Sequence, residues 1–246
     1  MLNFNFAEIC RNTMARRALA VFGANTDVGK TLCSAGLVLA GLRRSGRAAY
    51  LKPLQTGVGG PDEGDAALVR RCAVAATGAA PRCETLHAWP EPVSPHVAAA
   101  GGAAPSDAAL AAEIGGWVRA ADEATAVVET AGGVLSPSAA GGLQADVFAA
   151  LGLPTLLVGD ARLGGVSTTL AALECLRSRG AAVGALVFVG GDAALGNAAY
   201  VASRPGAPPV FSLAEPPPPP APLDDWLAAE AARFDAALAA VVGGES

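Results

Sequence analysis

Basic charge is in short supply in this chain. Its 246 residues hold 17 Lys and Arg against 22 Asp and Glu, a net charge of −5. No basic field exists to draw in a polyanion, so a DNA or RNA partner is not expected. Histidine is scarcer still: His87 and His96 are the only two. That leaves little material for a His-based metal centre or a Ser/His/Asp triad. The five cysteines, Cys10, Cys33, Cys72, Cys83 and Cys175, are odd in number and have no CxxC spacing. They point to free thiols in a reducing compartment rather than to disulfides or zinc. Long apolar runs are also missing. Hydrophobic content is 52%, but much of it is alanine interrupted by charges and glycines, so neither a membrane span nor a membrane partner is expected.

What the chain does have is a short loop, Gly23-Ala24-Asn25-Thr26-Asp27-Val28-Gly29-Lys30-Thr31. Arg17 to Phe22 before it reads as a buried strand, and Leu32 to Ala40 after it reads as a helix. Strand, glycine-bearing loop, Gly-Lys-Thr and helix form a phosphate-binding loop. Backbone N–H groups and the helix start face the phosphates. Lys30 neutralises the β and γ phosphates, and the Thr31 hydroxyl is a magnesium ligand. The usual pattern puts glycine where Ala24 stands; here Gly23 lies one residue earlier.

Further along, Ala48 to Leu51 reads as a second strand that runs into a loop, Lys52 to Gly57. A helix then starts at Asp62 or Glu63 and reaches about Ala76. Thr77 to Pro105 reads as an irregular, proline-bearing connection. Ser106-Asp107 caps a helix to about Asp122, with Leu110, Ile114 and Trp117 on one face. Ala126 to Glu129 is a third strand, followed by a glycine-bearing loop to Pro137 and a short helix from Gln144 to Leu151. Thr155 to Gly159 is a fourth strand, and a helix from about Val166 to Ser178 follows. Val183 to Val189 and Pro209 to Phe211 complete six strands. The recurring strand–loop–helix order implies an α/β fold, a single P-loop NTPase-type domain with a parallel sheet and helices on both faces. Residues 1–17 read as an N-terminal extension, disordered or a targeting remnant. Residues 18–246 form the domain, including a proline-rich spacer at 216–222 and one amphipathic helix at 223–242.

Three oxygen donors suit a magnesium ion: Thr31, Asp65 and Glu129. Glu129 stands at a strand exit near the phosphate loop. Asp65 alone is equally an acid in the first turn of a helix, where the dipole favours it. Lys52 leaves the second strand toward the same edge, where a lysine can act on a phosphate or carbamate oxygen. Thr56 and Gly57 follow it. Gly132-Gly133 and Gly164-Gly165 suit close approach of backbone donors to an anion. His96 reads as structural and Arg162 as a rim residue.

Together, Gly23 to Thr31, Tyr50-Leu51-Lys52-Pro53-Leu54-Gln55-Thr56-Gly57, Glu91 to His96, Glu129-Thr130-Ala131-Gly132-Gly133 and Leu163-Gly164-Gly165 occur in an order that resembles dethiobiotin synthetase. The runs Glu129 to Pro137 and Val158 to Gly165 are most similar to the N-terminal part of the plant and fungal form, which is fused to a diaminopelargonate aminotransferase. The resemblance implies an ATP- and magnesium-dependent ligase that takes 7,8-diaminopelargonate and carbon dioxide to dethiobiotin through a phosphorylated carbamate. It implies that Thr26, Asp27, Val28, Gly29, Lys30, Thr31 and Leu32 hold the triphosphate, with Thr31, Asp65 and Glu129 on magnesium. Lys52 and Lys30 become the catalytic residues. Lys52, Thr56, Gly132 and Gly133 meet the diamine, and Gly164, Gly165, Val166 and Ser167 hold its carboxylate across a homodimer interface.

The resemblance also implies a mitochondrial location for the plant or fungal form and a cytoplasmic one otherwise, and an aminotransferase fused or associated. Two positions depart from many bacterial members: Asn25 replaces an acid, and Val189-Gly190-Gly191-Asp192 replaces an adenine-reading Asn-Asp. A second reading of the same fold class is a dimerising nucleotide switch of the partition-ATPase kind. Such proteins usually carry an extra lysine early in the phosphate loop, and Gly23 to Asp27 has none.

Overall fold

A computed structural model describes residues 18–60, 63–102, 104–191 and 195–243. The 1–17 extension, the helix start at Asp62 and the Asp192 position lie outside the described residues. The strands are β1 (Ala18–Gly23), β2 (Ala48–Thr56), β3 (Arg82–Trp89), β4 (Thr125–Glu129), β5 (Thr155–Gly159), β6 (Val183–Val189) and β7 (Val210–Leu213). They form one sheet in the order β3-β2-β4-β1-β5-β6-β7, and every neighbouring pair is parallel. β1, Ala-Leu-Ala-Val-Phe-Gly, is buried along its whole length, as a central strand covered on both faces must be.

The helices are α1 (Lys30–Ser45), α2 (Gly64–Thr77), α3 (Pro95–Ala98), α4 (Asp107–Ala120), α5 (Gln144–Ala149), α6 (Gly165–Ser178), α7 (Asn197–Ala202), α8 (Asp224–Ala229) and α9 (Ala231–Val242). On one face of the sheet a core is built around Leu37, Val69, Trp226 and Phe234, from α1, α2, α8 and α9. On the other a core is built around Ile114, Trp117, Phe148 and Leu173, from α4, α5 and α6. This is the helix-on-both-faces arrangement expected from the strand–loop–helix order.

The sheet has seven strands, one more than the sequence reading gives. The additional strand, β3, lies inside the stretch read as an irregular connection. It is an edge strand, mostly half-buried or exposed, so it lacks the apolar run that marks the central strands. Its presence also corrects β2, which continues to Thr56 instead of ending at Leu51. Beyond Leu51 the pairing with β4 stops, while pairing with β3 runs on to Thr56↔Trp89. A proline has no N–H to give to a ladder, and Pro53 sits in that stretch, where β2 has a partner on one side only.

The region 223–242 is also corrected, from one helix to two that meet at Glu230. The Glu230 side chain is buried. It accepts from the Ala214 N–H at 3.2 Å and from Arg233 at 2.8 Å, which ties the joint to the exit of β7. From there α9 crosses α1, and the Phe234 ring packs onto Gly36, where a Cβ would collide with it. Trp226 donates its indole N–H to the Ala214 carbonyl at 3.1 Å.

Candidate active site

The strand order reverses around β1: β4 pairs on one side of it and β5 on the other. Ligands of open parallel sheets bind outside the carboxyl ends of strands at such a point. The turn from Gly23 to Thr31 lies there. α1 starts after Gly29, which has φ 92°, a conformation that favours glycine. A side chain on Gly29 would also press on Val189 at the end of β6. The start of α1 has no side-chain cap and no acid in its first turn. Its first N–H groups are therefore left for an anion.

The offset glycine has a steric cause. A Cβ on Gly23 would stand 2.7 Å from the Asn25 carbonyl oxygen and 2.9 Å from Lys30 Cδ. Lys30 folds back over the loop, its Nζ donating to the Asn25 carbonyl at 3.2 Å. Glycine is needed at 23 because the lysine stem and the loop turn both close in on it. Asp27 is a second left-handed residue of the turn, at φ 56°. Val28 is buried, Thr26 is exposed and Leu32 packs on the α1-side core.

Beside this loop lies a buried polar cluster. Lys52 Nζ sits 2.6 Å from Asp65 Oδ2 and 2.8 Å from Glu129 Oε1, and donates to the Thr130 carbonyl at 3.0 Å. Thr31 Oγ1 donates to Glu129 Oε1 at 3.0 Å, and the Tyr50 hydroxyl donates to Glu129 Oε2 at 2.8 Å. Glu129 is 0% exposed. Asp65 is held in the first turn of α2, where its N–H meets the Gln55 side-chain oxygen at 3.1 Å.

These neighbours set the charges. Burial works against the Lys52 ammonium, but Glu129 and Asp65 outweigh it and raise its pKa. Burial likewise pushes the Asp65 carboxyl up, yet the Lys52 charge and hydrogen bond bring it below its ordinary value. Lys30 goes the other way. Burial, reinforced by repulsion from Lys52, lowers it to about 8. Burial keeps the Tyr50 phenol protonated by raising its pKa well above the ordinary value.

The loop after β4 packs against the phosphate loop. Gly132 has φ 70°, and a Cβ on Gly133 would touch the Ala24 carbonyl at 3.3 Å. Gln144, buried at the start of α5, holds this loop through both ends of its amide. Its oxygen accepts from the Ala131 N–H at 2.9 Å and its nitrogen donates to the Ala131 carbonyl at 2.8 Å. On the other flank Asn25 Nδ2 donates to Asp160 Oδ2 at 3.3 Å. Arg162 clasps the same carboxylate at 2.7 and 2.8 Å and holds its pKa down. The Arg162 guanidinium also reaches the Thr26 carbonyl at 3.3 Å.

The structure thus brings Lys30, Thr31, Lys52, Asp65 and Glu129 together, with Gly132 and Gly133 against the loop. Thr56 closes β2 half-buried. Gly164, Gly165, Val166 and Ser167 form the start of α6, where Gly164 has φ 86° and no side chain caps the helix. Among the described residues, no hydrogen bond or ion pair of the Lys52 cluster reaches them. Gly165 donates its N–H to the Arg162 carbonyl at 2.9 Å, and the Arg162 guanidinium reaches the phosphate loop at Thr26. His96 is exposed, with Nδ1 3.1 Å from Ser94 Oγ. Sequence reasoning did not single out Tyr50, Gln144 or Asp160 for the site. A tyrosine in an apolar strand reads as core, and nothing local shows that its hydroxyl meets a carboxylate 79 residues further along the chain. Among the described residues no group of three His, Cys, Asp or Glu side chains could hold a metal. Any cation here would rely on the Thr31 hydroxyl beside the two carboxylates.

A family profile described as "AAA domain" matches residues 17–212. The chain is similar to the mitochondrial bifunctional dethiobiotin synthetase/7,8-diamino-pelargonic acid aminotransferase of Oryza sativa subsp. japonica, 39% identical over 241 residues that cover 76% of this chain and 29% of the relative. It is similar to the bifunctional dethiobiotin synthetase/adenosylmethionine-8-amino-7-oxononanoate aminotransferase of Emericella nidulans, 42% identical over 170 residues, 67% of this chain and 21% of the relative. It is also similar to the ATP-dependent dethiobiotin synthetase BioD of Streptomyces coelicolor, 38% identical over 172 residues, 69% of this chain and 70% of the relative. The chain spans less than a third of the length of the bifunctional relatives.

Proposed function

The chain belongs to the dethiobiotin synthetase family, and from that premise we propose that it closes the ureido ring of dethiobiotin from 7,8-diaminopelargonate, carbon dioxide and ATP. The observation that carries the reading is Lys52: a buried ammonium held between the buried Glu129 carboxylate and the partly buried Asp65 carboxylate, next to a phosphate-binding loop. One substrate amine adds carbon dioxide and loses a proton to give a carbamate. A carbamate oxygen then takes the γ-phosphoryl group, and the bond to ADP breaks. The second amine attacks the carbonyl carbon, phosphate departs with that oxygen, and a proton is released as the ring closes.

No side chain has to act as nucleophile, because the substrate brings both amines. The protein's task is positioning and charge neutralisation. Lys30 and the free N–H groups at the start of α1 hold the triphosphate. Lys52 stabilises the carbamate and the transferring phosphoryl group. Thr56, Gly132 and Gly133 border the diamine.

The donor set at Thr31, Asp65 and Glu129 fits magnesium. It offers hard oxygen ligands, and the Lys52 ammonium already lies within 2.8 Å of an oxygen of each carboxylate as a stand-in cation. When bound, magnesium supplies charge neutralisation on the phosphates.

A homodimer completes the site. Leu163, 87% exposed, stands one residue ahead of the uncapped start of α6, which has no acid in its first turn. That helix start suits the substrate carboxylate of a neighbouring subunit. Residues 18–246 act as one domain in this reading. An aminotransferase fused or associated, and a mitochondrial setting, are the further expectations from the bifunctional relatives. The test is incubation with the diamine, bicarbonate, magnesium and ATP. Dethiobiotin and ADP in equal amounts support the proposal; folded, ATP-binding protein that forms no product overturns it.

A further inference from the structure

Tyr50 is one of the largest fully buried side chains of the protein, packed in the core with Cys33, Val69 and Val127. A buried hydroxyl costs free energy unless it is hydrogen-bonded. Phenylalanine would fill the same space with no polar atom to satisfy, so packing alone gives no reason for the oxygen. Among the described residues its hydrogen-bond partner is Glu129 Oε2, at 2.8 Å.

The division of labour on Glu129 gives that bond its meaning. Oε1 receives Thr31 and Lys52; Oε2 receives Tyr50. Without Tyr50, Oε2 would be an oxygen of a fully buried carboxylate with no donor among the described residues, and rotation of the carboxylate could bring either oxygen to Lys52. With Tyr50 in place, Oε2 is pinned inside the core and Oε1 is the oxygen turned toward the phosphate loop.

We propose that Tyr50 is a positioning residue that sets the divalent-cation affinity of the nucleotide site by fixing the rotation of the Glu129 carboxylate. The inference rests on the reading that Thr31, Asp65 and Glu129 hold magnesium. Partners that orient a metal's ligands typically contribute a factor of about 10 to 100 in metal affinity. Glu129 keeps its bonds to Thr31 and Lys52 when Tyr50 is changed, so the lower end, roughly tenfold, is expected for Tyr50→Phe.

The readout is binding, not turnover. ADP affinity is titrated calorimetrically at increasing magnesium, for the parent and for Tyr50→Phe. The expected result is an unchanged metal-free ADP affinity and a magnesium midpoint raised about tenfold in the variant. A midpoint within twofold of the parent overturns the role of Tyr50. If ADP affinity of the parent does not depend on magnesium at all, the metal reading itself fails, and the proposal with it. A second measurement needs no variant. The chain has two tyrosines, Tyr50 and the half-exposed Tyr200, so fluorotyrosine labelling gives two 19F resonances. Adding magnesium to the ADP complex should shift the buried one and leave the other in place; a buried resonance that does not move counts against the proposal.

Discussion

Replacing Lys52 with methionine keeps an unbranched side chain one atom shorter and removes its charge. The ammonium touches Asp65 Oδ2, Glu129 Oε1 and the Thr130 carbonyl at 2.6, 2.8 and 3.0 Å. Its loss leaves two carboxylates facing each other. Breaking a buried ion pair from one side costs about 3–5 kcal/mol. The lower end applies here for two reasons. Glu129 retains donors from Thr31 and Tyr50, and the Asp65 side chain is 26% exposed and can hydrate. For a domain of this size a loss of ~3 kcal/mol lowers Tm by roughly 6–12 °C. A divalent cation can neutralise the same two carboxylates, and ligand at a hundred times its Kd returns about 2.7 kcal/mol. Lys52→Met should therefore melt well below the parent in chelator, and magnesium with ADP should raise its Tm more than it raises the parent's. Turnover should fall by about a hundred- to a thousandfold, the usual effect of removing a group that stabilises developing charge, while ATP still binds. The assay is thermal unfolding by circular dichroism in chelator and in magnesium–ADP. A variant that melts with the parent in chelator, or gains no more than the parent from magnesium–ADP, would refute the reasoning.

Three further outcomes follow from the same geometry. Gly23→Ala places a methyl group 2.7 Å from the Asn25 carbonyl and 3.0 Å from Lys30 Nζ, so ATP affinity measured by calorimetry should fall at least about tenfold, as a positioned charge is displaced. The depressed Lys30 pKa gives a pH signature: the penalty for burying its charge is full below about 8 and is relieved between about 8 and 10.5, because the unfolded chain there holds the proton that the folded chain has released. Triphosphate beside Lys30 restores the charge, so at pH 8 nucleotide binding should take up roughly half a proton, read by calorimetry in buffers of different ionisation enthalpy; no uptake at pH 8 to 9 would contradict it. Gly36→Ala should destabilise the domain by about 1–3 kcal/mol, since the methyl enters the Phe234 ring and the helix-propensity gain of at most about 1 kcal/mol does not offset it; denaturant unfolding gives the sign.

The phosphate loop could be read from the sequence because its signals are local: a strand, a glycine turn, Lys30-Thr31 and a helix. The glycine at 23 stood out only as an offset, and the fold supplies the cause in the Lys30 stem that crosses it. Glu129 was legible as an acid at a strand exit. Asp65 was not, on physical grounds alone, because an acid in the first turn of α2 has an equally good explanation in the helix dipole. It takes the 2.6 Å contact with Lys52 to place it in the site. The edge strand β3 escaped because Arg82, Glu84 and His87 interrupt its apolar pattern. With it went the last residues of β2, whose strand conformation depends on that partner. The break at Glu230 was hidden for a related reason: the apolar spacing runs on through it, and only the tertiary bond to Ala214 N–H marks the joint. Asn25, a departure in charge from the acid that the resemblance leads one to expect there, also finds its account in three dimensions. Its amide donates to the Asp160 carboxylate, where a second acid would be repelled.

The central claim is phosphorylation of a carbamate oxygen, and oxygen isotope transfer tests it most directly. The protein is mixed with 7,8-diaminopelargonate, magnesium and ATP, and pulsed with 13C,18O-labelled bicarbonate before the label exchanges with water. The account predicts that the phosphate released carries one labelled oxygen from the bicarbonate and that the 13C lies in the ureido carbonyl of dethiobiotin. Dethiobiotin formed with unlabelled phosphate, or ATP cleaved with no labelled ring product, would contradict it.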